Sequence, residues 1–478
     1  MKSARREKGN TVSEQGRDEK TATAGPLFPE QGRSFFLATL GCKVNQYESQ
    51  ALAEAWLARG WTRTERPEEA EVLLINTCAV TERAVAEARS AARRLRRTAP
   101  KALLFLAGCA AEALPAEFSA LPGPVRIIGQ RRKPLLARQP LASLQPGSFL
   151  REDAGPFAPF PDLRIAGYNR SRAVLKIQDG CSRGCAYCIV PRARGAARSR
   201  PPEEILAEAG RLLKAGFREI ILSGVNLGQY SCASFRRRKG NFWDLLVLLE
   251  EALAPRWAGR ARLRVSSLDP AQLTEQALDV LARCRLPAPH LHLSLQSGSL
   301  SVLRRMGRDH YEPAAAASFL DKLRRLRPVF GLGADILTGF PEESEAEFQE
   351  TLALCRILPL SYAHVFSYSP RPGTAAAVLS GQVPPEEKKR RASLLRQTAR
   401  RKKEAFLAAQ LNLPVVRVVF EHRHRPAEKG EEAVRGMNEY YIECRLEEGP
   451  APLLEIVPVR PVRLEHNALM VARTGAGG

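Results

Sequence analysis

The chain has 478 residues, a length at which two to four domains are expected because single hydrophobic cores stop growing well before it. Its 73 Lys and Arg outnumber 51 Asp and Glu, and the formal net charge of +22 favours a polyanionic partner, most simply nucleic acid, over a merely basic surface. No apolar run approaches the ~20 residues of a membrane span, and the first thirty residues lack the apolar stretch of a secretory signal, so we expect a cytoplasmic protein without membrane association.

The first part of the chain predicts a parallel sheet. Residues 1–33 are polar and charge-mixed, which is typical of a disordered extension. Residues 34–150 form the first predicted domain, in which short apolar runs alternate with helical stretches, the pattern of strands covered by helices on both faces. Its predicted strands and its first helix are, in chain order, Ser34–Leu40, Ser49–Arg59 (the helix), Val72–Asn76, Ala102–Gly108 and Val125–Gly129.

A stretch rich in Pro, Gly and Arg, residues 131–165, predicts a linker before a second alternating series in residues 166–405. Six β/α units suggest an incomplete version of the eight-unit barrel, whose active site lies at the strand C-terminal ends. A charged helix is predicted at Pro385–Ala409, and residues 410–475 carry β-branched runs typical of a small β-barrel or sandwich. The six predicted strands of the second series are Ala173–Gly180, Glu219–Gly224, Arg262–Ser267, His290–Gln296, Gly331–Phe340 and Tyr362–Ser369.

Three cysteines, Cys181, Cys185 and Cys188, are packed into eight residues just after the first strand of the second series. In a reducing compartment stable disulfides are rare, so metal binding is the leading explanation for such a group. Three thiolates can hold one face of an iron–sulfur cluster and leave one iron open to a cofactor. A zinc site would need a fourth Cys or a His nearby, and none lies within twenty residues.

A second set of cysteines is dispersed along the first domain. Cys42, Cys78 and Cys109 each follow a predicted strand. Because parallel strands end on one edge of a sheet, the three thiols should converge in the crevice where ligands bind. Singly, each is more often a buried apolar residue than a ligand, but three at equivalent strand ends favour a second metal site. The remaining cysteines have no such partners and are expected to be structural: Cys232, Cys284, Cys355 and Cys444.

With these motifs the chain resembles the radical S-adenosylmethionine methylthiotransferases. The segment Gly41-Cys42-Lys43-Val44-Asn45 is similar to the branch acting on N6-threonylcarbamoyladenosine at position 37 of tRNA, whereas the sister branches run closer to G-C-Q-M-N and G-C-P-K-N. Two positions depart from the family pattern: Arg192 stands in place of an aromatic, and Glu342 in place of a glycine. Further similar segments are Asn76–Thr81, Ser223–Gly228, Leu295–Ser299, Gly339–Pro341 and Phe366–Thr374.

The resemblance implies an N-terminal cluster-binding α/β domain, a central partial (β/α)6 radical barrel and a small C-terminal β-barrel that corresponds to the RNA-binding TRAM domain. It implies two 4Fe-4S clusters, one on each cysteine triplet, and S-adenosylmethionine as cofactor. The cluster on Cys181, Cys185 and Cys188 would generate a radical that activates C2 of the adenosine. The cluster on Cys42, Cys78 and Cys109 would deliver sulfur that is then methylated. No catalytic residue beyond the cluster ligands is expected.

The resemblance also leads us to expect further site residues and partners. Gly224, Asn226 and Gln296 lie at predicted strand ends and are candidates to hold S-adenosylmethionine, although Gly and Asn are also common in simple turns. The expected partners are a tRNA substrate, a flavodoxin- or ferredoxin-like reductant and a sulfur donor. Basic runs are candidates to contact the RNA, although each alone is more often a solvated surface: Arg93–Arg97, Arg236–Lys239 and Arg400–Lys403.

Two other functions remain open at this stage. One is a methylthiotransferase of a sister branch, acting on isopentenyladenosine 37 of tRNA or on an aspartate of ribosomal protein S12. The other is a two-cluster electron carrier or RNA-binding protein without catalysis. The long barrel-like series argues against a carrier, which has no need of a large cofactor pocket.

Overall fold

The computed structural model describes residues 33–123, 125–138, 160–235, 238–421, 434–447 and 449–474. The predicted N-terminal extension and the centre of the predicted linker lie outside these residues. The predicted limits of the domains, at 34–150, 166–405 and 410–475, stay predictions. Within the described part, no helix is both long enough and apolar enough to span a membrane.

The N-terminal domain contains a five-stranded parallel sheet in the order β2-β1-β3-β4-β5. All six residues of its central strand β3 are buried, which explains the unbroken apolar run that predicted it. The elements are β1 (Ser34–Thr39), α1 (Lys43–Leu57), β2 (Thr62–Arg63), β3 (Val72–Thr77), α2 (Glu82–Thr98), β4 (Leu103–Gly108), α3 (Cys109–Ala113), β5 (Val125–Gly129) and α4 (Leu135–Arg138).

The central domain contains six parallel strands that follow one another in space as they do in sequence. Two three-stranded sheets, β6-β9-β12 and β13-β14-β15, are joined by two isolated parallel bridges, Leu263 to Pro287 and Leu268 to Leu293. The prediction of an incomplete barrel is therefore confirmed. The elements are β6 (Arg172–Lys176), β7 (Gln178–Asp179), α5 (Val190–Arg194), β8 (Arg198–Ser199), α6 (Pro202–Lys214), β9 (Glu219–Ser223), β10 (Ser231–Phe235), β11 (Arg238–Asn241), α7 (Phe242–Trp257), β12 (Arg262–Val265), α8 (Glu275–Arg283), β13 (His290–Gln296), α9 (Leu300–Arg305), α10 (Pro313–Leu326), β14 (Gly331–Thr338), α11 (Glu345–Ile357) and β15 (Tyr362–Ser367).

Helix α1 of the N-terminal domain packs against β6, the first edge strand of the open barrel. Tyr47 on this helix is fully buried, and its hydroxyl donates to the Leu163 carbonyl at 2.8 Å and contacts the Glu208 carboxylate at 2.8 Å. The first strands of the two domains therefore share one hydrophobic core around this helix. This contact positions the end of α1 that carries Cys42 beside the barrel.

The tail is a closed five-stranded barrel in the order β16-β17-β18-β20-β19, preceded by a long helix. It docks where the barrel strands begin: the Arg262 and Arg264 guanidinium groups donate to backbone carbonyls of Arg417, Asn438 and Glu439 at 2.8 to 3.1 Å. The buried Glu219 carboxylate accepts from both arginines. The elements are α12 (Pro385–Gln410), β16 (Val416–Phe420), β17 (Arg435–Asn438), β18 (Glu443–Leu446), β19 (Ile456–Glu465) and β20 (Ala468–Arg473).

Two boundaries differ from the predicted ones in ways that matter for the site. Helix α1 begins at Lys43, six residues before the predicted start, so Cys42 immediately precedes its first turn. The predicted strand Ala173–Gly180 breaks after Lys176, and Gln178 and Asp179 pair instead with β8. Gly180 then has φ +68°, and a Cβ there would overlap the Ala196 carbonyl, so only glycine fits where the chain turns into the cysteine loop.

Candidate functional site

The dispersed cysteines meet at one edge of the N-terminal sheet. Cys42 follows β1 and precedes α1, Cys78 follows β3, and Cys109 follows β4 and opens α3. Strands β1, β3 and β4 are adjacent and parallel, so their C-terminal ends lie side by side. A Cβ on Gly41, whose φ is +92°, would lie 2.7 Å from the Cys78 Sγ, which shows how closely the chain before Cys42 packs on Cys78.

The second triplet lies in the loop between β7 and α5. Cys181 is buried, whereas Cys185 and Cys188 are partly exposed. The Asn226 side-chain amide donates to the Cys181 Sγ at 3.8 Å, and the Arg308 guanidinium donates to the Cys185 Sγ at 3.7 Å. Both donors favour a negatively charged sulfur.

A cavity of about 480 Å3 connects the two regions. It is bounded by the three N-terminal thiols and by the residues that follow Cys188, Ile189 and Val190. Its other side is made by the ends of barrel strands β9 and β12 and by Asp335 from β14. The site is therefore an interdomain cavity with one cysteine triplet in its wall and the other directly adjoining it.

The thiols suit iron–sulfur clusters better than a single ion. None of the ten cysteines is in a disulfide. In the described part of the chain, three ligand atoms come within 4.8 Å of one another only at His292, Asp335 and His364, so neither cysteine triplet is gathered as tightly as one zinc ion requires. A cubane, in which each thiolate binds a different iron, tolerates the wider spacing.

Burial controls the protonation of these thiols in the absence of a metal. Burial, and then the neighbouring Cys42 thiolate, raise the pKa of Cys78 to about 11. Burial also raises the pKa of Cys188 to about 12, with a further contribution from the Cys185 and Cys181 charges. The thiolates of each triplet are thus close enough to repel one another, and a positively charged iron centre would relieve that repulsion.

A buried network of charges lies behind the N-terminal cysteines. Arg194 donates to the Cys109 Sγ at 3.2 Å and also to the carboxylates of Glu48 and Asp179. Lys133 and Lys176 pair with the same carboxylates, and all five charged side chains are at most 2% exposed. Although burial alone would raise it, the three cations hold the pKa of Glu48 well below its usual range. Burial raises the pKa of Cys109, while Arg194 and Lys133 oppose that rise, so the network favours a negatively charged sulfur once a metal binds it.

The predicted cofactor-binding residues occupy different places. Gly224 lines the cavity, and Asn226 contacts Cys181. Gln296 ends β13 with a φ of +63°, a left-handed conformation that costs a non-glycine residue roughly 1 kcal/mol, but it is absent from the described lining of the cavity. Two assignments stay predictions: that these three residues bind S-adenosylmethionine, and that the six cysteines are cluster ligands.

Several site residues were missed from the sequence. Lys43 and Asp335 line the cavity, and His292 lies within 3.0 Å of Asp335 through its Nε2. The alternation of His290, His292 and Ser294 in β13 was a usable signal, because residues two apart share one face of a strand. Arg194 matches the arginine of the family pattern after the third cysteine, but no local signal gives its contacts, because its partners lie as far as 149 residues away.

The two departures from the family pattern have structural consequences. Glu342 has a φ of +63°, so the position where the family carries glycine is a left-handed one. The Arg192 guanidinium donates to the Pro372 carbonyl at 2.8 Å and thereby joins α5 to the loop after β15. Neither side chain is among the described residues that line the cavity.

Comparison with known proteins identifies relatives among the methylthiotransferases. Residues 34–129 match the model described as Uncharacterized protein family UPF0004, and residues 175–355 match the Radical SAM superfamily. The chain is 37% identical to the Bacillus subtilis threonylcarbamoyladenosine tRNA methylthiotransferase MtaB, over 72% of this chain and 75% of the relative. It is 33% identical to the Thermotoga maritima MtaB, over 73% of this chain and 77% of the relative.

Two other matches bear on the branch and on the fold. The tRNA-2-methylthio-N(6)-dimethylallyladenosine synthase of Roseobacter denitrificans is 31% identical, over 91% of this chain and 98% of the relative. Among solved structures, the radical S-adenosylmethionine methyltransferase TsrM of Kitasatospora setae, with cobalamin and a 4Fe-4S cluster bound, has a TM-score of 0.53 at 15% identity. That match covers 73% of this chain and 74% of TsrM, and it supports the fold alone.

Proposed function

The chain belongs to the methylthiotransferase family of radical S-adenosylmethionine enzymes, and on that basis we propose that it methylthiolates C2 of N6-threonylcarbamoyladenosine at position 37 of tRNA. The similarity to MtaB enzymes at 33 to 37% identity supports this substrate. The observation that carries the proposal is the interdomain cavity, which has the N-terminal thiols in its wall and adjoins the second triplet. An adenosine in this cavity would lie within reach of both.

The chain's own residues place the reacting groups and limit access of water. Cys181, Cys185 and Cys188 would hold the cluster that chelates S-adenosylmethionine, and Cys42, Cys78 and Cys109 would hold the other. When bound, the two clusters and S-adenosylmethionine supply the radical, the sulfur and the methyl group. The apolar side chains of Ile189 and Val190 line the cavity between the two sets of thiols.

The surface and the terminal barrel support an RNA substrate. The net charge of +22 supplies the electrostatic attraction that phosphates require. On α12, Arg400 and Arg401 are exposed. In the other described basic run Arg93, Arg94 and Arg97 are exposed, and Arg96 is buried against backbone carbonyls. Arg236 and Arg237 lie outside the described residues. Small five-stranded barrels often bind single-stranded nucleic acid, and a base in a loop is already accessible to a pocket.

We propose that the three described bodies correspond to a cluster-binding domain at 34–150, a radical domain at 166–405 and a TRAM-like RNA-binding domain at 410–475. The reaction also needs an electron and a sulfur atom. We therefore propose a flavodoxin- or ferredoxin-like reductant and a separate sulfur donor as partners. The substrate and these partners together favour the cytoplasm as the place of action.

A second candidate substrate is a tRNA with a dimethylallyl group on the same adenosine. It is favoured by the Roseobacter relative, which matches almost its whole length. Against it stand the two charged residues Lys43 and Asp335, which line the cavity among mostly apolar residues. An unsatisfied charge beside a hydrocarbon tail would be costly, whereas a threonylcarbamoyl group offers polar partners.

Mass spectrometry of tRNA nucleosides tests the proposal. Cells that express the gene should contain 2-methylthio-N6-threonylcarbamoyladenosine, and cells without the gene should contain only the unmethylthiolated nucleoside. Complementation with a Cys181→Ala, Cys185→Ala, Cys188→Ala variant serves as the control and should restore nothing. If cells without the gene instead lack a methylthiolated dimethylallyladenosine, the enzyme belongs to the sister branch.

A further inference from the structure

We propose that Lys43 forms a carboxylate-binding subsite that recognises the threonine carboxylate of the substrate. This inference rests on the proposed function, because it assigns one part of the same substrate to one residue. It explains how the enzyme would distinguish a charged substituent on the adenosine from a hydrocarbon one. The subsite is formed where the first turn of α1 meets the interior of the open barrel.

The position of Lys43 follows from the fold. It is the first residue of α1, directly after Cys42, and it lines the cavity with the three N-terminal cysteines. Its side chain is partly exposed, and its ammonium lies 6.0 Å from the centre of the Tyr441 ring, which the terminal barrel contributes. A cation so placed extends from the sulfur-delivering triplet toward the barrel interior.

Lys43 is the cavity cation whose charge is not already engaged. The other lining cation, Arg194, is buried and is held by Glu48 and Asp179. No carboxylate of the described residues lies within ion-pair distance of the Lys43 ammonium, and its contact with Tyr441 leaves the ammonium able to donate hydrogen bonds. Among the described residues that line this cavity, Lys43 is therefore the cation available to an anionic ligand.

The groups near Lys43 suit the rest of a threonylcarbamoyl substituent. Asp335 also lines the cavity, and its Oδ1 lies 3.0 Å from the His292 Nε2. His364 lies opposite Asp335 in the pairing of β14 with β15, and its side chain is exposed. Carboxylate and imidazole groups can accept from the N–H and hydroxyl groups that a threonylcarbamoyl group carries and a dimethylallyl group lacks.

The chemistry predicts discrimination by charge. Transfer of a carboxylate into a cavity is costly unless a cation receives it, and a charge-assisted hydrogen bond recovers part of that cost. A site built to bind a polar group rejects an analogue without it more strongly than an apolar pocket rejects an added group. Lys43 thus selects the threonylcarbamoyl substrate and disfavours the apolar one.

Two RNA probes measure what the threonine carboxylate contributes to binding. The first is an anticodon stem-loop RNA that carries N6-threonylcarbamoyladenosine, and the second is the same RNA with its carboxylate blocked as a methyl ester. Their affinities for the reconstituted holoenzyme are measured by fluorescence anisotropy, with KM and kcat for methylthiolation determined in parallel. The variants are Lys43→Gln and Lys43→Arg, with Lys101→Gln as control, because Lys101 is exposed and precedes β4 at the sheet edge opposite Cys109.

The wild-type enzyme should bind the acid about 10- to 100-fold more tightly than the ester, as expected for one hydrogen-bonded ion pair. Lys43→Gln should bind both RNAs with the affinity that the wild type has for the ester, with iron content unchanged. Lys43→Arg should keep most of the wild-type preference for the acid over the ester, and Lys101→Gln should keep all of it. In methylthiolation assays, Lys43→Gln should raise KM more than it lowers kcat, because the carboxylate is remote from C2.

A wild-type enzyme that binds acid and ester equally would overturn the subsite, and so would a Lys43→Gln variant that keeps the wild-type preference. If Lys43→Gln loses its iron, the wild-type preference and the Lys43→Arg variant still decide the question. Failure of the proposed function looks different. In that case the wild type forms no methylthiolated product from the acid, while the two affinities still report on Lys43.

Discussion

Replacement of Arg194 by methionine should disturb the protein at two measurable levels. Arg194 makes five hydrogen bonds of 2.7 to 3.2 Å, to the Cys109 Sγ, to both Glu48 oxygens, to Asp179 and to Asn45. The two carboxylates keep lysine partners in the variant, so the penalty falls on the hydrogen bonds that Arg194 made and on the space left by the guanidinium. Broken buried ion pairs cost about 3–5 kcal/mol, and we expect the lower end of that range.

The same change should make the N-terminal cluster harder to reduce. A unit charge roughly 6 Å from an added electron, at an effective dielectric constant of about 20, is worth about 3 kcal/mol, on the order of 100 mV for one electron. The midpoint potential is measured by redox titration with electron paramagnetic resonance in the Cys181→Ala, Cys185→Ala, Cys188→Ala background. Stability is measured by denaturant unfolding of the metal-free protein.

The matched control is Arg83→Met, because the Arg83 side chain is 88% exposed and pairs with Glu87 on the same helix face. That variant should change the free energy of unfolding by less than about 0.5 kcal/mol. An Arg194 variant whose free energy of unfolding stays within about 0.5 kcal/mol of wild type would contradict this prediction. A midpoint potential that does not fall would contradict it as well.

Three further predictions concern other parts of the molecule. Glu219→Gln should lower the free energy of unfolding of the metal-free protein by about 3 kcal/mol at pH 7. Burial alone would raise the pKa of Glu219, but two arginines lower it, so the difference from wild type should shrink in unfolding curves as pH falls below ~4.3, the usual glutamate pKa. A Cβ on Gly333 would overlap the Tyr362 ring, so Gly333→Ala should destabilise by about 1–3 kcal/mol in thermal unfolding, whereas Gly210→Ala, with open space in α6, should be neutral or stabilising. Arg400→Gln with Arg401→Gln should weaken tRNA binding and reduce the salt dependence of log Kd by about 0.7–0.9 for each phosphate that the variant no longer neutralises. An unchanged slope would remove this surface from the RNA interface.

The fold could be predicted wherever local patterns decide it. Fully buried strands such as β3 read as unbroken apolar runs, and the six barrel strands were all found within a few residues of their ends. In the tail, the β-branched runs Val415–Phe420, Tyr440–Cys444 and Leu454–Val459 predict β16, β18 and β19, whereas β17 and β20 were not predicted. Strand β17 is four residues long and contains Gly436, and a short strand with glycine carries little local signal.

The candidate site divides in the same way. Cys42, Cys78 and Cys109 could be grouped because each follows a strand, and the topology of a parallel sheet brings such positions together. Lys43 and Arg194 could not be assigned, because their surroundings depend on how α1 docks against the barrel. The contact between Arg194 and Cys109 joins two domains, and no periodicity within either segment reports it.

The two cysteine triplets, assayed separately for radical formation and for sulfur transfer, test the central claim most directly. Reconstituted wild-type protein should hold about eight irons, and either triple alanine variant about half. With reductant, S-adenosylmethionine and substrate tRNA, the Cys42→Ala, Cys78→Ala, Cys109→Ala variant should still form 5′-deoxyadenosine but no methylthiolated adenosine. The Cys181→Ala, Cys185→Ala, Cys188→Ala variant should form neither product. Methylthiolated tRNA from the first variant would contradict the account, because the sulfur would then reach the adenosine without the N-terminal site.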